Sequence, residues 1–116
     1  MRLTAIAGVL ATAGCRTTTT EWASVPDREV SAILVNRTVV YESGEDAGAQ
    51  QKWFADGTMD RNGQDGRWRV QNQQYCLLFP RDEEPEWRCC DYAISSNGAK
   101  VRFERNGRVW VGSFTN

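Results

Sequence analysis

The stretch "YAISSNGAKVRFERNGRVWVGSF", residues 92–114, decides the fold because two turns within it fix a strand register. Asn97-Gly98 and Asn106-Gly107 are two-residue turn signals, since a type I′ hairpin needs positive φ at its central positions and Asn and Gly tolerate that best. Around Asn106-Gly107, Phe103 opposes Trp110 and Val101 opposes Gly112. Around Asn97-Gly98, Ile94 opposes Val101 and Tyr92 opposes Phe103. Side chains alternate along a strand, so Tyr92, Ile94, Val101, Phe103, Trp110 and Phe114 share one face. Lys100, Arg102 and Glu104 share the other. The apolar face is the core side, and the alternation carried back puts Cys90 inward and Cys89 outward.

Further turn signals stand at Asp56-Gly57, Asp65-Gly66, Asn72-Gln73 and "PRDEEP" (residues 80–85). Between them lie "RTVVYES", "QKWFA", "TMDR", "RWRVQ", "QYCLLF", "EWRCCDYAIS", "AKVRFER" and "RVWVGSF". Up to eight short strands joined in succession by tight turns describe a mainly β chain. The expected architecture is an up-and-down antiparallel meander forming a small lipocalin-like barrel or a strongly curled sheet. A barrel of about eight strands is either just filled by side chains or holds one small ligand. One short N-terminal helix is expected over residues 27–35, where Val30, Ile33 and Leu34 fall at i, i+3, i+4. Ser24 or Asp27 serves as its cap, and Pro26 suits its first turn.

The register also sorts the cysteines. A two-residue turn at Asn72-Gln73 pairs Trp68 with Leu77 and Val70 with Tyr75. If these residues and Phe79 face the core, Cys76 faces out. A hairpin closed by "PRDEEP" then sets Cys76 opposite Cys89, in position for a cross-strand disulfide. Cys90 is left as a small apolar residue packed inward. A three-residue loop at Asn72-Gln73 reverses that choice.

The 116 residues allow one domain, and five Trp, four Phe and three Tyr supply a modest core. The net charge of −1 gives no sign of a nucleic-acid partner. The absence of histidine removes Ser-His-Asp and Cys-His catalysis and imidazole-based zinc sites. The chain opens with "MRLTAIAGVLATAGC", in which Arg2 precedes an uncharged, mostly apolar run over residues 3–13. That run fits a signal-peptide core and is too short to span a bilayer, which takes about 18 residues or more. "TAGC" resembles a bacterial lipobox, in which Cys15 is lipidated and becomes the first mature residue, although Thr12 stands where the pattern usually has Leu. The rival is an A-x-A cleavage site at residues 11–13, which leaves Cys15 a plain thiol. Residues 1–14 thus read as a signal peptide, 15–26 as a lipidated cysteine and flexible tether, and 27–116 as a single barrel-like domain.

The segments "ILVNRTVVYES", "KWFADGT", "DGRWRVQNQQYCLLF" and "EWRCCDYAI" resemble a small exported alphaproteobacterial family of unknown function. The matching positions are Leu34, Asn36 and Thr38; Trp53, Phe54, Asp56, Gly57 and Thr58; Gly66, Trp68 and Val70; Cys76; Trp87 and Cys89. The resemblance covers residues 28–95, departs at Cys90, where the family has an aromatic more often, and implies the Cys76–Cys89 pairing. It implies no activity. "F-x-x-D-G-T" followed by "G-x-W" is similar, more distantly, to lipocalin-like small barrels. Periplasmic barrels that inhibit metalloproteases share the size, the disulfide and the tryptophans.

Candidate sites are few. Asp56, Asp60, Asn62 and Asp65 fail the EF-hand spacing and read as turn residues. The acidic tip around residues 81–86 reads as a solvated loop that discourages edge pairing. Cys76, Cys89 and Cys90 cannot converge on a metal, because neighbours on a strand point to opposite faces. No nucleophile has a base beside it in a recognisable motif, so a non-enzyme without cofactor or metal is expected. Two functions follow. One is an envelope lipoprotein, outer-membrane-anchored on the periplasmic side, whose barrel binds a small apolar ligand or serves as a scaffold. The alternative is a protein-binding module such as a periplasmic protease inhibitor. An interior cavity lined by Trp53, Trp68, Phe103 and Trp110 favours the first; an exposed aromatic patch around Trp22 favours the second.

Overall fold

The computed structural model describes residues 20–115, and the leader and Cys15 lie outside them. Its elements in chain order are β1 (Trp22–Ala23), α1 (Asp27–Leu34), β2 (Thr38–Tyr41), a 3-10 turn (Gly44–Asp46), β3 (Gln50–Trp53) and β4 (Thr58–Arg61). There follow β5 (Gln64–Gln71), β6 (Gln74–Leu78), β7 (Arg88–Ser95), β8 (Lys100–Arg105) and β9 (Arg108–Phe114). Each strand from β2 to β9 pairs antiparallel with the next, and β9 returns to β2, so the sheet closes. Closure leaves no long edge exposed for pairing with another chain. The chain is an eight-stranded antiparallel β-barrel with one helix and one extra strand.

The register follows the turns. Trp110 opposes Phe103 and Gly112 opposes Val101 across β8–β9. Tyr92 opposes Phe103 and Ile94 opposes Val101 across β7–β8. Asn72 and Gln73 both take positive φ, 55° and 62°, and close a true two-residue hairpin. Trp68 therefore opposes Leu77, and Cys76 opposes Cys89, with which it forms a disulfide. Cys90 is the free thiol among the described residues, buried on the inner face.

Three expectations change. Asp65-Gly66 is not a turn but part of β5; the turn is Asn62-Gly63, where both residues have positive φ and Arg61 opposes Gln64. Gly66 is needed inside the strand, since a Cβ there would lie 2.6 Å from Met59 Cε. Neither Ser24 nor Asp27 caps α1, which starts after Pro26 without a side-chain cap. The Asp27 carboxylate instead accepts hydrogen bonds from the Tyr92 hydroxyl at 2.7 Å and the Gln73 backbone N–H at 3.1 Å. Finally, Trp22 and Ala23, within the segment read as a tether, form β1 and pair with Ser95 and Ile94 at the end of β7.

The helix sets the polarity of the barrel. Val30 and Leu34 bury their side chains in the core. Asn36 N–H donates to the Trp53 carbonyl at 2.7 Å, and Val35 bridges Trp53. These contacts, with Asp27 reaching Gln73 and Tyr92, seat α1 where β2 begins, β3 ends and the β5–β6 turn lies. At the opposite end stand the 3-10 turn, the Asn62-Gly63 and Asn106-Gly107 turns, and the loop between β6 and β7. No helix among the described residues covers that end.

Candidate functional site: the open end of the barrel

At the end away from α1 the interior opens as a cavity of about 150 Å³. Its floor is aromatic. Tyr75 and Phe103 stack with ring centroids 4.2 Å apart, and Trp53 meets each ring edge-on at 6.3 Å. Beneath them a closed set of hydrogen bonds satisfies the buried polar atoms. Tyr41 hydroxyl donates to Gln51 Oε1 at 2.8 Å, while Gln51 Nε2 (2.9 Å) and Trp53 Nε1 (3.0 Å) both donate to the Tyr75 hydroxyl oxygen. Burial pushes the Tyr41 and Tyr75 hydroxyls well above their ordinary value, so neither ionises at neutral pH. Buried polar groups that satisfy one another in this way hold a floor rigid.

The walls are apolar, supplied by Leu77, Phe79, Trp110 and the Cys90 side chain. Burial raises the Cys90 thiol, and nearby Arg105 opposes that only in part, so the sulfur stays a neutral thiol.

The rim is different in kind. Arg61, Arg88, Arg105 and Arg108 all line the opening, and no Asp or Glu does. Carboxylates outside the lining restrain three of them. Asp46 on the 3-10 turn pairs with Arg61 at 3.0 Å and also accepts the Trp110 indole N–H. Glu45 pairs with Arg108 at 3.0 Å. Arg88 has only a 3.9 Å approach to Glu86, and Arg105 makes no ion pair among the described residues. Arg105 and Arg108 face each other directly across the β8–β9 hairpin.

Of the four aromatics expected around a cavity, Phe103 and Trp110 line it, and Trp53 and Trp68 do not. Trp53 is fully buried behind Tyr75 and Phe103, held there by its bond to Tyr75 and by the backbone of Val35 and Asn36 just after α1. Trp68 directs its indole N–H to the Phe54 carbonyl at 3.0 Å, toward the helix end. The Cys76–Cys89 bridge lies on the outer face, and Arg69, opposite Cys76, stacks on Trp87 beside it. Trp22 is half-buried through β1, and Val109 is the one large apolar side chain exposed among the described residues. The turn carboxylates serve the backbone: Asp56 accepts from Thr58 N–H, and Asp60 from Gly63 N–H.

The rim arginines are what sequence reasoning passed over. They are scattered at 61, 88, 105 and 108, but each sits at a strand end, in "RNG", "EWR" and "RNGR". Laying the strands out antiparallel places all of them at the end that α1 does not cover. Comparison with family models, curated proteins and solved structures finds no match to this chain.

Proposed function

We propose that the protein is a non-catalytic binding barrel of the cell envelope, taking one small apolar ligand through its open end. The observation that carries the reading is the cavity: an apolar, aromatic-floored space of about 150 Å³ in an otherwise packed barrel, open at one end and plugged by α1 at the other. Protein interiors normally leave few voids larger than a water. A concave, mostly apolar space with a few polar groups at its opening matches what small-molecule sites look like. The only thiol on its wall is held neutral, which supports binding over catalysis.

The envelope assignment draws on the Cys76–Cys89 disulfide, since such bridges persist in oxidising compartments and are rare in the cytosol. With the leader read above, it supports export; the lipobox-like "TAGC" is the basis for acylation at Cys15, with the barrel tethered to the outer membrane on its periplasmic side. Two measurements test the proposal. Native mass spectrometry of the chain purified gently from its own envelope should show a bound small molecule that unfolding releases, and peptide mapping should find a diacylglyceryl group on Cys15. A ligand-free barrel that takes up nothing from an envelope lipid and metabolite extract rejects the binding function. An unmodified Cys15 behind a cut near residue 13 rejects the anchor.

A further inference from the structure

We infer that the open cavity is built for a small anionic amphiphile: a carboxylate, or an acid of like geometry, on a ring or short chain of about six carbons. The inference rests on the binding reading above and names the class of ligand. Two independent features carry it, the charge of the rim and the size of the space.

Four guanidinium groups and no carboxylate line the mouth. Like charges placed directly opposite on a hairpin destabilise it, and Arg105 faces Arg108 in that relation. Asp46 and Glu45 hold Arg61 and Arg108 from outside the cavity, which fixes those side chains at the rim without filling the opening. Arg88 is loosely approached at 3.9 Å and Arg105 is unpaired among the described residues, so these two retain donors for an incoming anion. Arg presents its N–H groups in a planar fork that matches a carboxylate with two parallel hydrogen bonds. Such a rim attracts an acid more strongly than a neutral molecule of the same shape.

The volume limits the rest of the ligand. An apolar cavity of about 150 Å³ holds one benzene-sized group, whereas drug-sized sites start at about 300 Å³. The tail therefore lies against Phe103, Leu77, Phe79 and Trp110, over the closed Tyr75 floor. Nothing longer fits with the head still at the rim. Shape selects the tail and charge selects the head.

Isothermal titration of the full chain with hexanoate, phenylacetate, hexanol, benzyl alcohol and sulfate tests this. The acids should bind at least tenfold more tightly than the matching alcohols, with an advantage that shrinks as salt rises. NMR shifts should centre on Phe103 and Trp110. Arg105→Gln, an exposed change, should remove most of the difference between acid and alcohol; Arg105→Lys should keep part of it. Equal binding of acid and alcohol overturns the anionic class and leaves the binding function standing. Sulfate binding as tightly as hexanoate overturns the amphiphile. Binding of neither acid nor alcohol overturns this inference and the proposed function together.

Discussion

Gly112 and Gly66 each stand inside a strand, yet their surroundings differ. A Cβ on Gly112 would stand 2.9 Å from Val39 Cβ, the branch point of a fully buried, stiff side chain. A Cβ on Gly66 would meet Met59 Cε, the free end of a flexible side chain, and Phe79 at 3.2 Å. Gly112 also lies where β9 pairs with both β2 and β8, so displacement there strains the closure of the barrel. Gly112→Ala should therefore cost about 1–3 kcal/mol, the usual range for overpacking a tight core. Gly66→Ala should cost less than half as much, because Met59 can swing aside. Urea unfolding of the two variants checks the order, and a Gly112→Ala midpoint at or above that of the parent chain removes the close approach as a constraint.

Among the elements, the β5–β6 hairpin is the one whose turn residues suit it least. Gln73 sits at φ 62°, in the left-handed region that costs an ordinary L-residue about 1–2 kcal/mol. Gln73→Gly should raise stability by about 1 kcal/mol, since the backbone N–H that Asp27 accepts is kept. An unchanged or lower urea midpoint would mean the strain is released in some other way. The same turn explains what could and could not be read from the sequence. Asn97-Gly98 and Asn106-Gly107 carried enough signal to place Phe103, Trp110, Val101 and Cys90 on the inner face, and the even strand spacing gave the meander. Asp65-Gly66 misled because a glycine inside a strand and a glycine in a turn are the same letter; only the neighbouring Met59 and Phe79 side chains distinguish them. β1 has two residues and no alternation to detect. The aromatic floor was legible through Phe103. The arginine rim was not, because charge at strand ends becomes a site only when closure gathers those ends around one opening.

On the scale of the whole molecule, the barrel interior should govern how the fold responds to alkali. All three tyrosines of the chain, Tyr41, Tyr75 and Tyr92, are buried, and all have raised hydroxyl pKa values. Burial is the main cause at each. At Tyr92 the Asp27 carboxylate adds to it, and the hydroxyl is pushed up to about 12. The sign of the effect on stability follows from comparing the two states. In the unfolded chain these groups lose their protons near 10.0, whereas in the barrel they hold them to higher pH. The unfolded state therefore binds fewer protons once pH passes 10, and stability falls as pH rises. The stabilisation is complete below the unfolded value and is lost as pH climbs through the folded ones. For Tyr41 and Tyr75, the more deeply buried two, linkage sets a limiting slope of about 1.4 kcal/mol per pH unit each. Tyrosinate absorbance of the native protein should accordingly show no step near pH 10. It should rise later, Tyr92 first, with the last two hydroxyls appearing only as the barrel unfolds. Tyr92→Phe isolates the first of these events: it should delete the early absorbance and free Asp27 from its hydroxyl partner, while leaving the final cooperative rise in place. A native protein whose three tyrosines titrate together near pH 10 would show that the interior is open to water, and with it that the floor beneath the cavity is not closed.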